Sequence, residues 1–223
     1  MNRTIPSNEA AFVASFAKAT ALSALFAVAI LTTVGAVGDR LAAFAFARPF
    51  GAICLLPLAA IFGATAQHIA VLSCRFKRWP EVVAAINLGA LALGFAAIFS
   101  AAEASRPGTP AVWVAATVAV FAALTARVAA SKGRVDERRL RCSAALSVVG
   151  VALVAAAFVP PEVAGGWAVW SLVAFQRVAT NAAKFWQACD DDSSTFAANV
   201  LFTDAVALSH RPWTFTFYDG ETR

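Results

Sequence analysis

Long apolar runs separated by short charged stretches dominate this sequence. About 20 apolar residues are needed to cross the roughly 30 Å of hydrocarbon in a bilayer, and backbone groups in lipid must be hydrogen-bonded within their own segment. Each run of that length therefore predicts a membrane-spanning α-helix. Five runs reach this length: Ala19–Gly38, Pro49–Cys74, Val82–Ala102, Pro107–Ala126 and Cys142–Pro161.

A sixth run, Val163–Gln176, is shorter because Arg177 interrupts it. It reaches spanning length if Arg177 and Lys184 extend their charged ends to the head-group layer. Trp167 and Trp170 would then lie near the opposite interface, where indole rings are favoured. The alternative is an interfacial or re-entrant helix. The sequence thus predicts an all-α membrane bundle of six transmembrane helices, with five as the alternative.

The C-terminal part of the chain has a different pattern. We assign residues 1–186 to the bundle and residues 187–223 to a short amphipathic cytoplasmic tail. Thr195, Asn199 and Thr203 recur at four-residue spacing, which predicts a polar stripe on a helix, and Asp204 adjoins it. Such a helix would lie on the membrane surface or dock beneath the bundle. Residues 213–218 alternate with period two, which indicates an extended segment that would pair with a partner protein or fold back.

Composition supports a membrane environment. The chain is 60% hydrophobic and only 14% charged, whereas soluble domains are about 45–50% apolar and about 25% charged. A chain of this length has too much surface to hide the surplus in a soluble core. The chain carries a net charge of +5. In membrane proteins such an excess of Lys and Arg usually lies in the cytoplasmic loops. Because no basic stripe with interleaved aromatic residues is present, we expect no nucleic-acid binding.

The basic residues cluster after the second and fourth runs, so these two loops lie on the same side of the membrane if every run spans it. The positive-inside bias makes that side cytoplasmic, and six spans then place both termini there. The clustered residues are also candidate contacts for anionic lipid head groups. They are Arg75, Lys77, Arg78, Arg134, Arg138, Arg139 and Arg141.

Three polar residues within the runs are candidates for an ion path or a cofactor ligand: Gln67, His68 and Asn87. Haem ligation between helices would need a further histidine at matching depth. The only other one is His210, in the tail. A buried, hydrogen-bonded imidazole is therefore the preferred interpretation of His68, and we expect no cofactor.

The four cysteines form no CxxC pair and no His/Cys cluster with metal-ligand spacing, so no metal site is predicted. Cys74 and Cys142 lie at the cytoplasmic ends of predicted spans, beside basic residues. Cysteines in that position are candidates for reversible palmitoylation, with an inert thiol as the alternative. The acidic run at residues 190–192 has no second acidic motif to accompany it, and we find no catalytic motif.

Three functional interpretations remain open. The leading one is a non-enzymatic multi-pass protein that organises the membrane or partner proteins through a basic cytoplasmic face. The second is a small transporter or channel subunit, which predicts that Gln67, His68 and Asn87 line one polar cavity. The third is an intramembrane enzyme acting on a lipid or isoprenoid, which predicts that residues 190–192, Asp204 and His210 converge.

Overall fold

The structure is a computed structural model that describes residues 7–46, 80–132, 136–188 and 194–207. These residues fold into six α-helices, and no strand occurs among them. In chain order the helices are α1 (Ser7–Phe46), α2 (Pro80–Ser105), α3 (Thr109–Ala130), α4 (Glu137–Ala155), α5 (Pro161–Ala188) and α6 (Ser194–Ala207).

Three of the helices are long and apolar enough to cross a membrane, namely α1, α2 and α3. Their apolar parts contain the first, third and fourth runs of the sequence. This confirms the all-helical fold and supports a transmembrane helical protein. The second run, Pro49–Cys74, lies outside the described residues.

The fifth and sixth runs also form helices, but with different limits from those of the apolar runs. α4 ends at Ala155, and a turn leads to Pro160, whose carbonyl oxygen accepts hydrogen bonds from the amides of Val163 and Ala164. α5 continues through Arg177 to Ala188. The arginine therefore does not end the helix, because its side chain reaches polar groups while the backbone stays helical.

Local signals explain where several helices begin. The Asp136 carboxylate accepts a hydrogen bond of 2.7 Å from the backbone N–H of Arg139 and so caps α4. Between α2 and α3 the chain turns at Gly108, whose φ of 84° lies in the left-handed region that a side chain disfavours. The Gly108 amide donates to the Glu103 carboxylate at 2.9 Å. This turn makes α2 and α3 antiparallel neighbours.

The same loop before α3 is tied to the start of α5. Arg106 and Glu162 form a salt bridge of 2.7 Å between exposed side chains. Glu162 lies in the first turn of α5, where a backbone N–H hydrogen bond and then the Arg106 contact lower the pKa of its carboxyl group.

Aromatic and aliphatic side chains from the six helices form the interior, mainly in two clusters. One cluster joins α1, α3, α4, α5 and α6 around Phe16, Phe121 and Phe175, with the last two rings 5.0 Å apart edge to face. The second joins α1, α2, α3 and α6 around Phe26 and Phe202. α6 contributes to both clusters, so it is part of the packed interior.

The polar stripe predicts a helix that lies on the membrane surface or docks beneath the bundle, and α6 packs against other helices of the bundle. Of its residues Ser194–Val206, only Thr195 and Phe196 are half-buried, and the others are buried. The helix packs against α1, α2 and α5. Polar residues on more than one of its faces meet polar groups of neighbouring helices, so the helix has no separate water-facing side.

Candidate polar site around the last helix

α6 lies beside the apolar part of α1 and runs in the same direction. At its start, the Lys18 ammonium donates hydrogen bonds to the hydroxyls of Ser194 (2.8 Å) and Thr195 (2.7 Å). Further along, the ring of Phe202 contacts that of Phe26, with centroids 5.7 Å apart. Lys18 and Phe26 are eight residues apart on α1, and Ser194 and Phe202 are eight residues apart on α6. The two helices therefore run side by side in the same direction from Lys18 onward.

Three polar side chains from α2 and α6 meet in this region, and we call them the amide cluster: Asn87, Asn199 and Thr203. The Asn87 side-chain N–H₂ donates to Asn199 Oδ1 at 2.6 Å and to Thr203 Oγ1 at 2.8 Å. The three residues are 0%, 1% and 3% exposed. A buried polar residue inside an apolar helical bundle is costly unless it is paired, so such clusters mark functional sites or specific packing.

The Thr203 hydroxyl fixes the orientation of the two amides. Its single proton is donated to the backbone carbonyl of Asn199 at 2.8 Å, so towards Asn87 it can only accept. Asn87 must therefore present its N–H₂ group, and both hydrogens are used. Asn199 must in turn present its oxygen to Asn87.

This arrangement leaves one polar atom of each amide without a protein partner. Within the described part of the chain, neither Asn87 Oδ1 nor Asn199 Nδ2 has a hydrogen bond, although both atoms are buried. A buried donor or acceptor left unpaired costs about 1–3 kcal/mol. One acceptor and one donor in the interior of the bundle thus remain without a protein partner among the described residues.

A second polar contact joins the other side of α6 to α5. The Asn181 side-chain N–H₂ donates to a carboxylate oxygen of Asp204, and both residues are buried. Arg177, one turn before Asn181, interacts electrostatically with the same carboxylate. Asp204 follows Thr203 directly, so the carboxylate and the amide cluster lie on adjacent faces of one helix.

The candidate residues of the sequence are only partly brought together. Asn87 lies in the amide cluster, whereas Gln67 and His68 lie outside the described residues, so their predicted common cavity stays a prediction. The carboxylate of Asp204 faces Asn181 in the interior. Its predicted convergence with residues 190–192 and His210 also involves positions outside the described ranges.

The basic residues after α3 can be located in part. Arg138 and Arg139 are exposed in the first turn of α4, and we call these two the basic face. Arg139 also lies 3.4 Å from the Asp136 carboxylate. Arg141 is engaged within the protein, 2.6 Å from Glu137 and 2.8 Å from the Thr180 hydroxyl. Four further head-group candidates lie outside the described residues: Arg75, Lys77, Arg78 and Arg134.

Cys142 has an exposed free thiol next to Arg141, as acylation would require, whereas Cys74 lies outside the described residues. Within the ranges that the structure describes, no group of three His, Cys, Asp or Glu side chains is arranged to hold a metal ion. The described polar residues therefore offer amide, hydroxyl and single-carboxylate chemistry.

Sequence reasoning missed Asn181, and for the stripe with Asn199 and Thr203 it left open whether the helix lies on the membrane surface or docks beneath the bundle. The polar residues do recur along α6, but their period alone does not show whether they face water or polar groups on another helix. A usable signal was the match between polar residues in two segments, one in an apolar run and one in the presumed tail.

Comparison with known proteins adds no further constraint: no family model, no curated protein and no solved structure matches this chain.

Proposed function

We propose that the chain crosses the membrane six times with both termini in the cytoplasm. The directions of the described helices support this. Phe26 contacts Phe95, and further along both helices Gly38 lies against Ser100, so α1 and α2 run the same way. α3 returns antiparallel to α2 after the turn at Gly108. Six alternating spans give the same directions, with the first and third parallel and the fourth opposed.

The parallel arrangement of α1 and α2 also supports an additional crossing between them. Phe46 ends α1 and Pro80 begins α2, and these ends belong to opposite sides of the bundle. The sequence between these two ends contains the apolar run Pro49–Cys74. The predicted second span supplies the return.

Exposed apolar side chains on α4, on α5 and in the turn between them support further crossings. Leu146, Leu153 and Phe158 are more than 70% exposed, and Val169 and Val173 lie exposed on α5. Water-soluble monomers rarely present apolar patches of this extent. Lipid is the environment that accommodates them, and the arginines at the start of α4 then lie at its edge.

Within this architecture, the function that the geometry supports best is that of a small transporter or channel subunit for a polar solute. The observation that carries this proposal is the burial of Asn199, Thr203 and Asp204 on α6, which packs beside α1, together with Asn87 on α2. A helix inserted only for packing could use Ala and Leu throughout. Polar groups at this depth are retained where a solute or ion must exchange its water for protein partners.

The test is solute entry into proteoliposomes that contain the purified full chain, followed by light scattering with glycerol, urea, acetamide and potassium chloride. We expect at least one solute to enter faster than into protein-free liposomes. Thr203→Val should slow that entry about fivefold, the value of one hydrogen bond. Thr32→Val is the matched control because Thr32 is exposed and bonds only to its own helix. If none of the four solutes enters faster than the liposome background, the proposal is wrong.

A second candidate function is organisation of anionic lipid or of partner proteins through the basic face, and the exposure of Arg138 and Arg139 favours it. Each arginine near an anionic surface contributes about 1 kcal/mol. The double variant R138Q/R139Q should retain less phosphatidylglycerol through purification, measured by mass spectrometry. Arg106→Gln is the control, since it removes one charge at the other end of the bundle. Equal retention by all three proteins would exclude this function.

A further inference from the structure

The two unused atoms of the amide cluster define the chemistry of what can bind there. Asn87 Oδ1 is an acceptor and Asn199 Nδ2 is a donor, and both belong to side chains that are at least 99% buried. The orientation of both amides is set by the Thr203 hydroxyl, so the two roles cannot be exchanged. A guest that satisfies both atoms must carry a donor and an acceptor of its own.

The distance between the two atoms limits the guest to a small molecule. The amides are joined by the 2.6 Å bond from Asn87 Nδ2 to Asn199 Oδ1. The nitrogen and oxygen of one amide group are about 2.3 Å apart, so the unused acceptor and donor are separated by about 7 Å at most. A planar group with N–H and C=O on neighbouring bonds bridges such a separation.

The surroundings select against a charged guest. Both amides are neutral, and the neighbouring side chains Leu91 and Phe202 are fully buried and apolar. An ion would lose its hydration without gaining an opposite charge at these two atoms. Asp204 lies on the α5 side of α6, where it accepts from Asn181 and interacts electrostatically with Arg177.

We propose that the amide cluster binds a small uncharged carboxamide or urea-type group, which donates to Asn87 Oδ1 and accepts from Asn199 Nδ2. This inference rests on the proposed transport function, since it names the class of solute for the same site. The carboxamide repeats the pairing that the two asparagine side chains already make with each other. A single water molecule is the competing occupant, and the experiment distinguishes it.

The test uses the full chain in detergent micelles and saturation-transfer NMR with two ligands, acetamide and N,N-dimethylacetamide. Both ligands have the same carbonyl group, but only acetamide has N–H donors. We expect acetamide to bind about fivefold more tightly, since one hydrogen bond separates the two. Asn87→Leu removes the acceptor for the ligand N–H and should abolish this preference. Ser100→Ala, a buried polar residue elsewhere on α2, should leave it intact.

The wild-type comparison of the two ligands keeps the inference falsifiable even if Asn87→Leu does not fold. Equal binding of both ligands, or binding of neither, would overturn it and leave water as the occupant. Acetamide entry into proteoliposomes is measured alongside. Preferential binding without entry of any solute would support the site and refute transport. Entry of another solute without acetamide binding would support transport and refute this choice of substrate.

Discussion

Removal of Asn87 should destabilise the bundle mainly through the loss of its two hydrogen bonds to α6. Asn87→Leu keeps the side-chain volume similar but deletes the donors to Asn199 Oδ1 and Thr203 Oγ1. Hydrogen bonds between membrane helices are worth about 0.6 kcal/mol each on average. The stranded carbonyl oxygen of Asn199 adds about 1–3 kcal/mol because it stays buried. The substitution also removes the buried, unpaired Asn87 Oδ1, which offsets a penalty of similar size. We therefore expect a net loss of about 1 kcal/mol in the free energy of unfolding, the value of the two lost hydrogen bonds.

The assay is equilibrium unfolding of the purified protein in mixed micelles by increasing mole fractions of SDS, with the fluorescence of the 6 tryptophans as the signal. Ser105→Ala is the control on the same helix. Its hydroxyl is exposed and donates only to the Ala101 carbonyl one turn earlier, so its loss should stay within about 0.5 kcal/mol.

A double-mutant cycle separates the two parts of the effect. Asn199→Leu alone also strands polar groups, whereas Asn87→Leu combined with Asn199→Leu leaves neither amide. The double variant should therefore be less destabilised than the sum of the single variants by about 1 kcal/mol or more. Strict additivity, or an Asn87→Leu variant as stable as the wild type, would refute the hydrogen-bonded amide cluster.

Three further predictions concern other parts of the chain. The lowered pKa of Glu162 means that its carboxylate stabilises the fold at pH values above 4.5, the usual pKa of this group. This stabilisation is lost as the pH falls through the lowered pKa. Glu162→Gln should therefore flatten the fall of the melting temperature between pH 6 and pH 3. Gly108→Ala should cost about 1 kcal/mol in SDS unfolding because its φ is positive, whereas Gly165→Ala, within α5 and with open space around it, should stabilise the helix by about 0.5–1 kcal/mol. Acyl-exchange labelling of protein from native membranes should detect a thioester that Cys142→Ala removes; an identical signal from both proteins would exclude acylation at this thiol.

Much of the fold follows from run length and charge, and α3 shows why. Its apolar stretch is bounded by charged residues, begins with a glycine–proline signal and ends near Arg127, and the helix follows those signals. In an apolar phase the backbone must satisfy its own hydrogen bonds, so an uninterrupted run leaves little choice other than a helix. The length of an apolar run therefore predicts a helix well when no charged residue interrupts the run.

α5 and α6 show where this reasoning fails. Arg177 interrupts the apolar run but not the helix, because a side chain can reach a polar partner without any change in the backbone. The periodic polar residues of α6 suggested a water-facing stripe. The sequence of one segment does not reveal that Asn87, more than 100 positions earlier, supplies the matching polar group. Polarity in a helix is a property of its neighbours, which are known only after packing.

The amide cluster has two physical explanations, and one variant distinguishes them. If Asn87 and Asn199 only hold α6 in place, the double variant with leucine at both positions should still fold, because apolar pairs can replace buried polar pairs at little cost. Its acetamide binding and solute entry should then equal those of the wild type. If they form a solute site, the same folded variant should lose acetamide binding and solute entry. Stability and binding respond to different atoms of the same side chains: the paired atoms hold the helices together, and the unpaired atoms are available to the guest.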